Sequence, residues 1–323
     1  MREHSLPDRL RSRAGALVVD NFFRAIATAG RYHPRARPER HQVEVVRNVP
    51  YLDDGAPEHL LDIYRPTTPG PWPVMLYVHG GGFRILSKDT HWVMGLGYAR
   101  RGYLVFNISY RLAPRHPFPA AVADACAAYT WVARHAAAYG GDLSRFALGG
   151  ESAGANLITS LTIAACYPRP EPFARAVFDT GLVPQAVLPA CGIFQVSDVA
   201  RFSRRRKLPR FIGDRLAEVS DSYLPETAGL PPGAIDLADP LVALERGDPP
   251  VRPLPPFFLP VGTRDPLLDD TRRMKAALDR LGVVSEAHYY PGELHAFHAL
   301  VFRPNARKCW ASAYAFLDRH IAR

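Results

Sequence analysis

Apolar residues recur along the chain in two periods, and the alternation between those periods predicts the architecture. Residues 8 to 28 place Leu10, Ala14, Leu17, Val18, Phe22 and Ile26 on one helical face. That stripe needs burial, and packing against the rest of the chain is a simpler fate for it than a membrane surface. After Arg31-Tyr32-His33-Pro34 the pattern turns to strands. Gln42–Val46 and Leu60–Tyr64 are rich in β-formers, and Pro71 and Pro73 punctuate before the next run. Val74-Met75-Leu76-Tyr77-Val78 is unbroken and apolar, as a strand covered on both faces is. A glycine loop and a helical segment from Lys88 to Arg101 follow, then a strand over Tyr103–Ile108, a Pro-rich loop and a helix over Pro119–Tyr139. Arg145–Leu148 opens a strand that runs into Gly-Glu-Ser-Ala-Gly and a helix reaching Cys166. Val187–Phe194, Phe257–Gly262 and Val284–Tyr290 predict later strands, with helices over Asp269–Leu281 and Asn305–Ile321.

Strands alternating with helices predict an α/β fold, a mostly parallel central sheet with helices on both faces. One stretch breaks the alternation. Residues 196 to about 230 are helical and basic where a direct helix to the next strand is expected. Insertions at the carboxyl ends of such strands cover the site, so this stretch predicts a helical cap, joined by the N-terminal helix. The expected organisation is 1–45 as N-terminal cap helices, 46–195 as the first part of the core, 196–233 as the cap insertion and 234–323 as the second part. No repeat or low-complexity segment interrupts it.

Composition narrows the class. The 323 residues are 47% hydrophobic and 22% charged, ordinary for a soluble globular protein, and the length suits a core built around one sheet. A net charge of +9 raises the question of nucleic acid, but the basic residues are dispersed and nearly all arginine, with lysine only at 88, 207, 275 and 308. The one dense run, Arg204-Arg205-Arg206-Lys207, reads as a solvated surface, so no nucleic-acid partner is expected. Cys126, Cys166, Cys191 and Cys309 show neither CxxC nor metal spacing and lie in apolar stretches, as packed reduced thiols do. The apolar stretch from Ala14 to Ala29 is broken by Asp20 and Arg24, so neither a signal peptide nor stable membrane insertion is expected. Cytoplasmic location follows as the expectation.

Gly150-Glu151-Ser152-Ala153-Gly154 matches the G-x-S-x-G nucleophile elbow of α/β-hydrolases. Its serine stands in a strained strand-to-helix turn, and the flanking glycines avoid Cβ clashes there. The apolar Phe146-Ala147-Leu148 before it and the helical Ala153–Ala165 after it supply that context. His79-Gly80-Gly81-Gly82-Phe83 directly follows the strand ending at Val78. Acyl transfer needs N–H donors aimed at the oxyanion, and Gly81 and Gly82, with Ala153 after the nucleophile, are the candidate donors. No Gly-Lys-Ser/Thr follows, which argues against a phosphate loop.

A serine nucleophile needs a base and an orienting acid, in the chain order Ser, acid, His. His288 sits in a predicted strand and His320 in the last helix, whereas His295 and His298 lie in the loop after the last strand. His295 is the nearer to the strand end and is favoured. Asp265 follows the strand Phe257–Gly262, with Pro266 stopping it, and fits the acid. Asp269 and Asp270 read as helix N-terminal residues, and Glu293 is the second candidate acid, only two residues from His295.

In this order the motifs resemble the hormone-sensitive-lipase-like (family IV) esterases of the α/β-hydrolase superfamily, over roughly residues 45 to 323. The resemblance rests on His79–Phe83, Ser109-Tyr110-Arg111-Leu112-Ala113-Pro114, Phe118-Pro119-Ala120-Ala121 with Asp124, Gly141-Asp142, the elbow, Asp265-Pro266-Leu267 and His295-Ala296-Phe297. It implies Ser152, Asp265 and His295 as a catalytic triad, with His79, Gly80 and Glu151 supporting the motifs. Arg115, Glu151, Ala155 and Ala296 depart from the residues common at these places; Asp124 and Asp142 read as structural acids.

The expected activity is carboxylic ester hydrolysis on small-molecule esters of short to medium acyl chain, through an acyl-enzyme, with no metal and no cofactor. An amidase or deacetylase using the same triad, and a non-catalytic binding protein on the same fold, are the alternatives. A homodimer stays open.

Overall fold

The computed structural model describes residues 21, 25, 27–205, 208–224 and 233–321. Most of the sequence-predicted helix over 8–28 therefore lies outside the described residues, apart from a helical end over 27–31.

Eight strands form one sheet in the order β1-β2-β4-β3-β5-β6-β7-β8. They are β1 (Val43–Pro50), β2 (Leu60–Pro66), β3 (Trp72–Val78), β4 (Leu104–Ile108), β5 (Gly141–Glu151), β6 (Ala186–Ala190), β7 (Phe257–Gly262) and β8 (Ser285–Tyr290). β2 runs antiparallel to both its neighbours, β1 and β4; β4, β3, β5, β6, β7 and β8 are mutually parallel. The six parallel strands all deliver their carboxyl ends to one edge, where loops can converge. β6 ends four residues earlier than the apolar run Val187–Phe194 predicts, because the chain turns out of the sheet at Cys191, where φ is +41°.

Side-chain alternation divides the strands between two cores. Val74, Leu76 and Val78 of β3, with Leu104, Phe106 and Ile108 of β4 and Phe146 and Leu148 of β5, face the larger one. There they meet α2 (Ala120–His135), α3 (Ala153–Cys166) and α8 (Leu268–Arg280). Met75 and Tyr77, with Val105, Ala147 and Phe258, face the other, filled by α1 (Trp92–Ala99) and α9 (Pro304–His320). α3 is buried along its whole length, so every residue from Ala153 to Cys166 is constrained by packing. Two short helices, α4 (Pro172–Asp179) and α7 (Pro240–Glu245), lie in the segments before β6 and β7.

The segment after β6 forms α5 (Ala200–Arg205) and α6 (Arg210–Tyr223). α6 is laid on the loop after β3. Tyr223 stacks on Phe83 with ring centroids 3.7 Å apart, Arg84 pairs with Glu218, and Tyr223 O accepts from Phe118 N–H at 2.7 Å. Asp270, in the first turn of α8, does more than favour a helix start. Its carboxylate accepts from the N–H groups of Phe194 and Gln195 and pairs with Arg201 of α5, tying this segment to the core. Arg204 pairs with Asp198, while positions 206 and 207 of the basic run lie outside the described residues. Among the described residues no helix is long and apolar enough to cross a membrane.

Candidate active site

Ser152 stands between β5 and α3 with φ +55° and ψ −116°, a conformation costly for a residue with a side chain. Packing enforces it: its N–H donates to Ala190 O at 2.9 Å, and its carbonyl accepts from Asn156 N–H at 3.2 Å. The turn is so tight that a Cβ on Gly154 would lie 2.1 Å from Val78 O. This is the elbow geometry the motif predicts.

The glycine loop after β3 lies beside it. Gly81 adopts φ +110°, and a Cβ there would fall 2.1 Å from Ile85 O, so only glycine fits. Among the described residues the N–H groups of Gly81 and Gly82 have no hydrogen-bond partner. Ala153 opens α3, where backbone N–H groups lack intrahelical acceptors. The glycine loop packs against the elbow, a Cβ on Gly80 falling 3.2 Å from Ser152 Cβ.

Beneath the loop is a polar network buried in the protein. The Glu151 carboxylate accepts from Gly80 N–H at 2.7 Å and from the Tyr77 hydroxyl, and lies 2.5 Å from His91 Nε2. Burial pushes the Glu151 carboxyl up, but the His91 charge outweighs it and lowers the pKa to about 2. Burial likewise opposes charge on His91, yet Glu151 raises its pKa overall. His79 is buried against Tyr110, ring centroids 4.2 Å apart, and its Nδ1 lies 2.6 Å from Gly80 O. Burial, aided by the nearby His91 charge, lowers its pKa to about 3, so His79 is neutral at pH 7.

Asp265 and His295 meet. His295 Nδ1 lies 2.8 Å from Asp265 Oδ2, while Asp265 Oδ1 accepts from Leu267 N–H at 2.8 Å. Asp265 is fully buried, and the His295 side chain is 34% exposed, enough to be reached from outside. Burial opposes the imidazolium, but the Asp265 carboxylate outweighs it and holds the His295 pKa well above 6.5. Ala296 takes φ +55°, which turns the chain so that His295 faces Asp265. Among the described residues no hydrogen bond joins the Ser152 hydroxyl to His295; resting enzymes often complete that contact only with substrate bound.

The rival residues are engaged elsewhere or buried. Glu293 turns to Asn305 Nδ2 at 3.0 Å and Arg303 at 3.3 Å. His298 is buried, and burial lowers its pKa to about 4. His288 lies within β8 beside Glu286. Asp124 takes a bidentate pair from Arg111, and Asp142 accepts from Ser144 N–H.

Three residues at this site escape sequence reading. Tyr77 is hidden in an apolar strand, His91 in a predicted helix, and Cys191 in an apolar run. Cys191 is buried, and its sulfur lies within 4.8 Å of donor atoms of Asp265 and His295. No spacing signals any of the three: Tyr77 lies within β3, His91 precedes α1 and Cys191 follows β6.

The model of a family with the alpha/beta hydrolase fold matches residues 75–299. The chain is 31% identical to esterase LipI of Mycobacterium tuberculosis, over 87% of this chain and 83% of that protein. It is 33% identical to carboxylesterase NlhH of the same species, over 77% and 74%. Among solved structures, a bacterial heroin esterase superposes with TM-score 0.76 at 26% identity, covering 94% and 91%. Esterase LipW from Mycobacterium marinum does so with TM-score 0.73 at 26% identity, covering 94% and 89%. With the family model spanning most of the chain and relatives this similar over most of their length, the chain belongs to the hormone-sensitive-lipase-like family of α/β-hydrolases.

Proposed function

We propose that the protein is a serine carboxylesterase acting on small-molecule esters of short to medium acyl chain. The observation that carries this reading is the 2.8 Å contact of His295 with Asp265, beside an elbow serine held at φ +55°. Both relatives named above are esterases by name, which supports the same bond being cleaved here.

In the first half-reaction Ser152 Oγ attacks the ester carbonyl as His295 takes its proton. Asp265, acceptor of the imidazole Nδ1–H, fixes the tautomer and stabilises the cation. The negative charge on the carbonyl oxygen is met by the N–H groups of Gly81, Gly82 and Ala153. Collapse expels the alcohol, protonated by His295, and leaves an acyl-Ser152. Water then attacks by the same route and releases the acid. The helices α5 and α6 act as a cap, with α6 closing the acyl channel over the glycine loop.

The test is Ser152→Ala with p-nitrophenyl butyrate and its anilide counterpart. Turnover of the ester should fall by about 10⁴ to 10⁶ with the fold intact. A variant keeping a tenth of wild-type turnover would remove Ser152 as nucleophile, and faster cleavage of the anilide would make the protein an amidase.

A further inference from the structure

We propose that Cys191, Asp265 and His295 form an inhibitory site for a soft divalent cation, Zn²⁺ or Cd²⁺. The three side chains supply a sulfur, a carboxylate oxygen and an imidazole nitrogen, one donor atom of each lying within 4.8 Å of the others. In a tetrahedral zinc centre with Zn–S about 2.3 Å and Zn–N about 2.0–2.1 Å, donors stand about 3.3–3.6 Å apart. Reaching that spacing takes a side-chain adjustment, with His295 Nδ1 and Asp265 Oδ2 moving apart from 2.8 Å.

The donors differ in freedom in a way that suits capture. Cys191 is pinned: its N–H donates to Pro260 O at 3.0 Å, and it packs among Ala190, Val261, Leu268 and Ala296. Asp265 is fixed by Leu267 N–H and is fully buried. His295 is the partly exposed member, so its ring can swing and a cation can enter past it. A thiolate with an imidazole selects soft or borderline cations over Mg²⁺ and Ca²⁺, which want oxygen shells.

Binding balances without redox chemistry. The Cys191 thiol releases its proton to solvent as the S–metal bond forms. A protonated His295 releases one too, and its nitrogen lone pair binds the metal. Resting on the function proposed above, the consequence is inhibition: the lone pair that would take the Ser152 proton is occupied, and Asp265 no longer orients the ring.

The test uses the full-length, metal-stripped protein. Titration with Cd²⁺ should give an ultraviolet sulfur-to-cadmium charge-transfer band saturating at about one equivalent, the thiolate being the metal-bound form. Zn²⁺ should compete and Mg²⁺ should not. Cys191→Ala should abolish the band and weaken Zn²⁺ binding by more than the about 10–100-fold that an outer partner of a metal ligand is worth. On wild-type protein, Zn²⁺ should protect Cys191 from alkylation in a mass-spectrometric map, which needs no variant to fold. An unchanged band in Cys191→Ala, or alkylation of Cys191 indifferent to Zn²⁺, would overturn the site. Ester hydrolysis that persists at saturating Zn²⁺ would overturn the inhibition. If the metal-free protein hydrolyses no ester, the function proposed fails, while the band and the alkylation map still decide the site.

Discussion

His91 Nε2 lies 2.5 Å from Glu151 Oε1, joining the helix after the glycine loop to the residue immediately before Ser152. The same carboxylate holds Gly80 N–H at 2.7 Å, so one buried anion fixes the glycine loop relative to the elbow. Glu151→Gln keeps the shape but turns one acceptor oxygen into an NH₂ that faces donors. The loop should then lose its fixed position, and kcat should fall by about 10- to 100-fold, less than the about 10²–10³ of losing a whole oxyanion donor. KM for a p-nitrophenyl ester should stay within about three-fold, because the contact matters in the transition state. Steady-state kinetics decides it; an unchanged kcat would mean the tether does not set the donors.

The same network makes stability fall steeply in acid. His79 stays neutral in the folded protein down to about pH 3, and His298 to about pH 4, whereas in the unfolded chain both protonate below 6.5. Stability is therefore lost as pH falls from 6.5 towards those values, since the unfolded state binds more protons. Glu151, at about 2 folded against 4.5, adds stability above pH 4.5 that is lost as pH falls towards 2. His91 works oppositely: its raised pKa contributes fully below pH 6.5, and that part is lost as pH rises through its folded value. The urea midpoint should drop sharply between pH 6 and 3. His79→Asn, which retains a donor for Gly80 O, should flatten the slope by up to about 1.4 kcal/mol per pH unit. A wild-type midpoint constant across that window would contradict the buried neutral histidines.

Much of this was legible in the chain. The parallel core was readable because its strands are unbroken apolar runs, such as Val74–Val78, and Phe257–Gly262 even has the observed ends. The elbow and the glycine loop were readable because their backbones demand glycine. Asp265 and His295 were readable because each follows a strand end. His91 and Tyr77 were not, because their function depends on a carboxylate 60 and 74 positions away in sequence, across the parallel register. Cys191 looked like core, and it is core, but at the point where β6 stops short and the chain turns beside His295. α7 was not readable because its six residues carry fewer than two turns of periodicity, whereas α4 does carry a signal, in the face that buries Ala174 and Val177.

The two loop histidines should separate sharply. His295→Ala removes the base and should cost about 10⁴-fold or more in kcat, whereas His298→Gln should cost less than about ten-fold. For the wild type, the acidic limb of kcat/KM should lie above pH 6.5, higher than the near-neutral value an unperturbed histidine gives, because Asp265 stabilises the imidazolium. His295 must lose its proton to act, so activity rises with pH through that value. Asp265→Asn should move the limb to lower pH as well as reduce the rate. A limb unmoved in that variant, with chemistry rate-limiting, would separate Asp265 from the base.

Val219 should set the acyl-chain limit. A Cβ on Gly82 would lie 2.7 Å from Val219 Cγ2, so this α6 side chain borders one of the proposed oxyanion donors. α6 is held there by the Phe83–Tyr223 stack and the Arg84–Glu218 pair, which makes the wall firm. Each further methylene of an acyl chain stabilises binding by about 0.8 kcal/mol while space remains. Once the chain must displace packed residues, overpacking costs about 1–3 kcal/mol and the trend reverses. Activity should therefore rise from acetyl to butyryl or hexanoyl esters and fall well before palmitoyl. Val219→Ala removes two methyl groups from the wall and should lengthen the optimum by about one or two carbons, whereas Val219→Phe should shorten it. The measurement is kcat/KM over a soluble p-nitrophenyl ester series for the three proteins. Palmitoyl esters cleaved as well as butyryl would make the protein a lipase, and identical profiles in all three would place the acyl chain away from α6.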